Sequence, residues 1–309
     1  MKTCYLFPGQ GAQYPGMGRD LYEASEAVKD LFQLASDVTA MDLKELLFNG
    51  SEEDLKATDK TQITVTLVNL SVSLYLKEQG ITADGCAGFS LGEYSALWEA
   101  GVISDSDIFS IVKVRGQLME KASRNLDSSD GNAGMAAVLG LSYEDAMDVL
   151  DSLAGEEVYL ANYSSPIQIV LAGTAAGINR AEEAFLAAEA MKFVKLRVSG
   201  PFHSPLLVKA KEGLEEALAS FSFNDPVLPV YANASGKRVI SGDEARKLCV
   251  QQVVQTVRWV DEEQAILDDG YDRYLETGPG SVLSGLWKSF YKKIRCQKAG
   301  TVEDIDKIA

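Results

Sequence analysis

Residues 88–92 read Gly-Phe-Ser-Leu-Gly, and no other stretch so narrows what this chain can fold into. Glycines two residues before and after a serine let a strand turn sharply into a helix. Neither carries a Cβ where the two backbones must pass, and the serine hydroxyl is left projecting from the turn. The motif is short enough to arise by chance, so the flanking pattern decides its meaning. That pattern fits: a short apolar strand ends at Phe89, and a helix follows over 91–100.

Strand, glycine turn and helix also open the chain. A strand over 3–7 runs into Pro-Gly-Gln-Gly-Ala-Gln, and a helical pattern covers 20–38. A long helix over 61–79, with Ile63, Leu67, Leu70 and Leu74 at helical spacing, stops at Gly80. Another spans 105–123 and carries Lys113 and Arg115. After the polar connection at 125–134 the pattern becomes strand, helix, two strands around a Ser-Pro turn, helix and strand. This β-α-β-β-α-β order, within about 65 residues, is that of a ferredoxin-like unit. The predicted architecture is α/β: a large domain from 1–124 and 199–309 with a parallel central sheet, and a small domain inserted at 125–198. In the returning part, helices are expected over 205–220, 244–254 and 260–269, and strands over 227–231 and 271–276. A terminal helix is expected in "TVEDIDKIA", capped by its threonine.

Composition removes several function classes. The formal net charge is -16, which opposes binding to nucleic acid or anionic lipid. No apolar run approaches the length of a membrane span, and the opening residues lack a signal-peptide pattern, so a cytoplasmic protein is expected. The four cysteines lie far apart with no C-x-x-C pair, which argues for reduced thiols and against a zinc site or a disulfide framework. One histidine, His203, is present, so any mechanism that needs an imidazole must use it, and a multi-histidine metal site is excluded.

Ser90 needs a base to take its proton as it attacks, and His203, held between Pro201 and Pro205, is the sole candidate imidazole. The loop at 8–13 fails as a dinucleotide site, because the third glycine position holds Tyr14, and no Gly-Lys-Ser/Thr follows. A glycine turn after a strand can instead offer amides, Gln10 among them, to a developing oxyanion. Arg115 taken alone reads as a solvated helix arginine.

In order along the chain, "FPGQGAQYPGMG", "GFSLGEYSAL", "VRGQLME", "GMAAVLGL", "ANYSSPIQIVLAG", "GPFHSPLL" and "ETGPGSVLSGL" closely resemble malonyl-CoA:acyl-carrier-protein transacylases and the acyltransferase domains of polyketide synthases (PKS). The resemblance, over about residues 3–290, implies an α/β-hydrolase-like large domain with the ferredoxin-like insertion. It also implies a reaction in which Ser90 is acylated by malonyl-CoA and passes the malonyl group to the phosphopantetheine thiol of an acyl carrier protein, in fatty acid biosynthesis. Ser90 would be the nucleophile and His203 the base, oriented by the main-chain carbonyl of Gln252. Gln10 and the Leu91 amide would form the oxyanion hole. Arg115 would pair with the malonyl carboxylate, Asn162 would line the cleft, and Phe202 would crowd a 2-methyl substituent. No cofactor or metal is implied, and a monomer is expected.

Two positions depart from the family pattern: Phe89 stands where histidine is common, and Thr256 where proline is. Basic clusters at Lys192, Lys195 and Arg197, and at Lys288, Lys292, Lys293 and Arg295, are the candidate carrier-protein surfaces. A discrete acyltransferase serving a PKS, an acyl hydrolase of the same fold and a non-catalytic scaffold are the competing readings.

Overall fold

The computed structural model describes residues 1–127 and 131–308. Strands form at Thr3–Phe7 (β1), Gly85–Gly88 (β2), Gly134–Leu139 (β3), Val158–Ser165 (β4), Gln168–Gly173 (β5), Lys192–Lys195 (β6), Tyr231–Ala232 (β7), Lys237–Arg238 (β8), Arg273–Glu276 (β9) and Cys296–Lys298 (β10).

The large sheet has the order β10-β9-β1-β2 and is parallel throughout. Every residue of β1 and β2 is buried, as strands covered by helices on both faces require. Parallel strands bring their carboxyl ends to one side, where ligands of open α/β sheets bind. The loops that follow Phe7, Gly88 and Glu276 therefore share one rim. Behind them lies the helix Thr58–Glu78, buried along most of its length. Its Asn69 donates from Nδ2 to the Pro8 carbonyl at 2.9 Å and to Ser95 Oγ at 3.1 Å, fixing the loop that leaves β1.

The small sheet is antiparallel in the order β4-β5-β3-β6, the arrangement expected of a β-α-β-β-α-β unit. Residues Val138, Ile169 and Leu171 on one face pack with Phe185 of the helix Ala175–Ala187. Met135, Ala137, Val170 and Ala172 on the other face join the main core. The strand β4 is laced to the segment after the helix Gly242–Gln252: Tyr163 N–H donates to Val257 O at 2.9 Å, and Val257 N–H to Ala161 O at 2.8 Å. Thr256 adds a hydroxyl bond to Leu160 O at 2.7 Å. A proline here would lack that hydroxyl.

Several expectations are corrected. The helical pattern at 20–38 is two helices, Arg19–Ala24 and Glu26–Thr39, because Ser25 is extended and its side chain caps Val28 N–H. The strand expected at 227–231 shrinks to β7 and a bridge at Val230, since Pro226 and Pro229 have no N–H to give a ladder. The helix after Ser90 is Gly92–Glu99, and β2 stops at Gly88. Helices at Leu43–Asn49 and Glu52–Lys56, and the strands β8 and β10, are additions to the sequence reading. The helix expected at the end is Val302–Asp306, capped by Thr301, whose side chain accepts from Asp304 N–H. The polar connection at 125–134 falls outside the described residues at 128–130, as does residue 309. All four cysteines are free and buried, and no helix among the described residues is long and apolar enough to cross a membrane.

The crossing of β1, β2 and the Gly92–Glu99 helix leaves no room for side chains. A Cβ on Gly92 would stand 2.0 Å from the Phe7 carbonyl oxygen, and one on Gly88 would stand 2.0 Å from the Gly92 carbonyl group. Gly92→Ala is expected to lower the free energy of urea unfolding by about 3 kcal/mol, or to abolish folding. Gly285 lies within the helix Val282–Phe290, with nothing within 4 Å of the Cβ it lacks. Gly285→Ala should gain up to about 1 kcal/mol. Equal effects of the two substitutions would contradict the crossing.

Candidate active site

Ser90 follows the crossing in the left-handed region, with φ of 53°, a conformation that a non-glycine residue keeps only when its surroundings impose it. Asn233, fully buried just after β7, imposes it. Its Oδ1 accepts the Ser90 N–H at 2.7 Å while its Nδ2 donates to Gly88 O at 2.7 Å, so one side chain grips both ends of the turn. The Ser90 amide is thereby spent. The next amide, Leu91 N–H, opens the helix Gly92–Glu99, where backbone donors have no intrahelical acceptor. The loop carrying Gln10 passes close by: a Cβ on Gly9 would lie 2.4 Å from Phe89 O and 3.4 Å from Leu91 N. Gln10 itself is half-buried.

The Ser90 hydroxyl donates to His203 Nε2 at 2.7 Å, and His203 Nδ1 lies 2.7 Å from the Gln252 carbonyl oxygen. A carbonyl can only accept, so the proton of the neutral ring is on Nδ1, and Nε2 presents a lone pair to the serine. The acceptor is available because Gln252 is the last residue of the helix Gly242–Gln252, where carbonyls lose their intrahelical donors and the helix dipole is negative. His203 also has a positive φ, 58°, in the turn between its flanking prolines. Burial, aided by the nearby Arg115 charge and opposed by the Gln252 hydrogen bond, holds its pKa down at about 4.

Arg115 is 1% exposed, yet no carboxylate pairs with it among the described residues. One Nη donates to Gln62 Oε1, the other to Gln252 Oε1 at 2.9 Å, the Tyr94 ring lies 5.2 Å away, and Nε has no partner. Gln252 in turn donates from Nε2 to Ser90 O at 2.9 Å, Glu93 Oε2 at 2.8 Å and Asn233 Oδ1 at 3.1 Å. A buried guanidinium with only neutral oxygens as partners is an anion site in waiting. His203 also borders a groove of about 580 Å³ that runs past Pro205, Val254 and Thr256 to Leu160 and Leu150 of the small domain.

A serine hydroxyl bonded to an imidazole, and a buried cation held by the residue that orients that imidazole, are the parts expected of an acyl-transfer centre for acids. Comparison with known proteins agrees. The model of the acyl transferase domain matches residues 4–306. A malonyl CoA-acyl carrier protein transacylase of Bacillus subtilis (strain 168) is 37% identical over 307 residues, 99% of this chain and 95% of that one. The chain belongs to the malonyl CoA-acyl carrier protein transacylase family.

Its fold is that of the solved transacylases. The acyl carrier protein S-malonyltransferase of Vibrio cholerae O1 superposes with a TM-score of 0.94 at 34% identity, covering all of both chains. A malonyl-transacylase solved in complex with its type II PKS acyl-carrier protein gives the same TM-score at 33% identity, over 99% of this chain and 98% of that one.

Within this transacylase fold, Ser90, His203, Gln252 and Arg115 are brought into one hydrogen-bonded chain. Asn162 lies on β4 at a break in its register with β5, 8% exposed, its Oδ1 without a partner. Phe202 is buried beside His203. Phe89 packs edge-on to Trp259, with ring centroids 5.4 Å apart. Sequence reasoning missed Gln62, Glu93 and Asn233. None left a local signal: Gln62 follows a polar run, Glu93 lies in the first turn of a helix beside Ser95, and Asn233 lies in a loop.

Because His203 is the only histidine, an imidazole ¹⁵N spectrum reports it alone. The Nδ1–H tautomer is expected, unchanged from about pH 8 to about pH 6. Protonation is expected only near pH 4, since the depressed pKa keeps the ring neutral above that value. A midpoint near the ordinary 6.5 would mean that burial and the Arg115 charge do not act on the ring.

Proposed function

We propose that the protein moves a malonyl group from malonyl-CoA to the phosphopantetheine thiol of an acyl carrier protein through a malonyl-Ser90 ester, in fatty acid biosynthesis. The observation that carries this reading is the buried Arg115 guanidinium, unpaired by any carboxylate and sharing Gln252 with the catalytic histidine. Ser90 Oγ attacks the thioester carbonyl as His203 Nε2 takes its proton. The tetrahedral oxyanion is met by the Leu91 amide and by Gln10, donors fixed before charge develops. Collapse breaks the C–S bond, and His203 returns the proton to the departing CoA sulfur. The carrier thiol then repeats the sequence in reverse: His203 takes its proton, the thiolate attacks the ester carbonyl, and Ser90 leaves with that proton. The Gln252 carbonyl stabilises the transient imidazolium without adding a buried carboxylate to the pair.

Arg115 selects substrates by their free carboxylate. A malonyl group satisfies the guanidinium through parallel hydrogen bonds, whereas acetyl leaves it unpaired. Phe202 disfavours a 2-methyl group by about 1 to 3 kcal/mol, the usual worth of one methyl in a pocket. Asn162, by the family resemblance, is assigned to the substrate cleft. We assign residues 1–124 and 199–309 to the large domain and 125–198 to the inserted one, which contributes Leu150 and Leu160 to the groove. The protein is read as a cytoplasmic monomer that binds neither nucleic acid nor membrane, in keeping with its charge of -16. Of the two basic clusters, Lys195 already spends its charge on Glu182 at 2.8 Å. No ion pair engages Lys288, Lys292, Lys293 or Arg295 among the described residues, which makes theirs the freer surface for an acidic carrier. A PKS carrier protein as acceptor is the second reading, favoured by the likeness to the transacylase solved with such a partner.

Acid-quenched protein treated with radiolabelled malonyl-CoA should carry label on Ser90, and holo carrier protein should remove it. Label lost to free malonate would favour hydrolysis, and label elsewhere would sink the mechanism. Arg115→Ala should lower kcat/KM for malonyl-CoA by about 100-fold and change that for acetyl-CoA far less. A uniform loss on both substrates would remove Arg115 as the selector.

A further inference from the structure

Glu93 has no part in the mechanism above, yet it lies one helical turn past Ser90 and is 1% exposed. Its Oε2 accepts from Gln252 Nε2 at 2.8 Å and from the Asn233 N–H at 2.9 Å. The Gln252 carboxamide is thus held between two groups that polarise it in the same sense, with Arg115 donating to its oxygen and Glu93 accepting from its nitrogen. Buried charges persist only when compensated, and Arg115 has no carboxylate in contact.

We infer that Glu93, where ionised, is the internal counter-charge of Arg115 in the unloaded site, linked to it through the Gln252 carboxamide, and that this ionised fraction takes up its proton from solvent when a substrate carboxylate pairs with Arg115. The inference rests on the reading of Arg115 as the carboxylate site. The charge balance is simple. In the molecules whose Glu93 is ionised before binding, the buried centre holds one guanidinium and one carboxylate. Afterwards it holds the guanidinium, the substrate carboxylate and a neutral Glu93, so their net buried charge is unchanged.

Glu93 is faced by titratable groups from each of the surrounding elements. From the helix Trp259–Asp268, Glu262 is pushed well up by burial and by Glu93 itself, and Glu263 beside it by burial. Cys249 of the helix Gly242–Gln252 and Tyr94 of the same helix as Glu93 are also pushed up, chiefly by burial, and stay protonated. Burial raises Glu93 to about 7, against the opposing hydrogen bonds of Asn233 and Gln252 and the Arg115 charge. A carboxylate arriving on Arg115 cancels that last restraint, and the proton becomes favourable. His203 feels the same Arg115 charge and is the rival proton acceptor.

The test uses the full chain with Ser90→Ala, which binds acyl-CoA without being acylated. Calorimetric titration near pH 7 in phosphate and in Tris, whose ionisation enthalpies differ, counts the protons exchanged. About half a proton should be taken up per malonyl-CoA, as expected of a group half ionised at that pH, and none per acetyl-CoA. Ser90→Ala/Glu93→Gln should bind malonyl-CoA with the uptake abolished. If that double variant does not fold, infrared difference spectra of Ser90→Ala decide instead, by a protonated carboxyl band that appears on adding malonyl-CoA and shifts in D₂O. Binding that depends on Arg115 but exchanges no proton would overturn the inference alone. Uptake that survives Glu93→Gln would also overturn it, assigning the proton to His203. Malonyl-CoA binding unaffected by Arg115→Ala would overturn both the inference and the reading beneath it.

Discussion

The hydrogen bond from His203 Nδ1 to the Gln252 carbonyl is the contact on which the rest of the site is arranged. It is made to the end of a helix, where a main-chain oxygen is left without an intrahelical donor and carries the negative end of the dipole. That oxygen does for the imidazole what a carboxylate does in an acidic triad, fixing the tautomer, but adds no formal charge to a buried place. The side chain of the same residue turns the other way and engages Arg115, Glu93, Asn233 and the Ser90 carbonyl. One residue therefore orients the imidazole with its main chain and the cation with its side chain. Neither can shift without the other.

The elbow is held by an equally economical device. Its glycines let β1, β2 and the following helix approach until no Cβ fits, and Asn233 then ties the Ser90 amide and the Gly88 carbonyl. Strain at Ser90 and His203, both at positive φ, is sustained because prolines, buried hydrogen bonds and close packing over-determine the local backbone. This is the rigidity that acyl transfer needs, since donors fixed in advance cost no reorganisation when the oxyanion forms.

Much of the fold was legible because periodicity and glycine placement are local. β1, the helix with Arg115 and the β-α-β-β-α-β order of the small domain stand where the pattern placed them. Misreadings arose where a local feature competed with the pattern. Ser25 capped a new helix inside one apolar stripe, and Pro226 and Pro229 emptied a strand-like run of its donors. The core of the site was legible for a different reason. With one histidine in the chain, the partner of Ser90 was fixed by elimination, and the family resemblance supplied Gln252 and Arg115.

The sequence by itself determined the layered α/β architecture, the serine turn and the identity of the only possible imidazole, because each is set by residue type and spacing along the chain. Tertiary structure alone decided that Arg115 is buried rather than solvated, that Asn233 closes the elbow, and that Glu93 faces Gln252. These facts rest on contacts between residues far apart in the chain, such as Arg115 with Gln252 and Ser90 with Asn233. Local pattern carries no record of them. An arginine on a helix looks the same in sequence whether water or two glutamine oxygens surround it, and only packing removes the water.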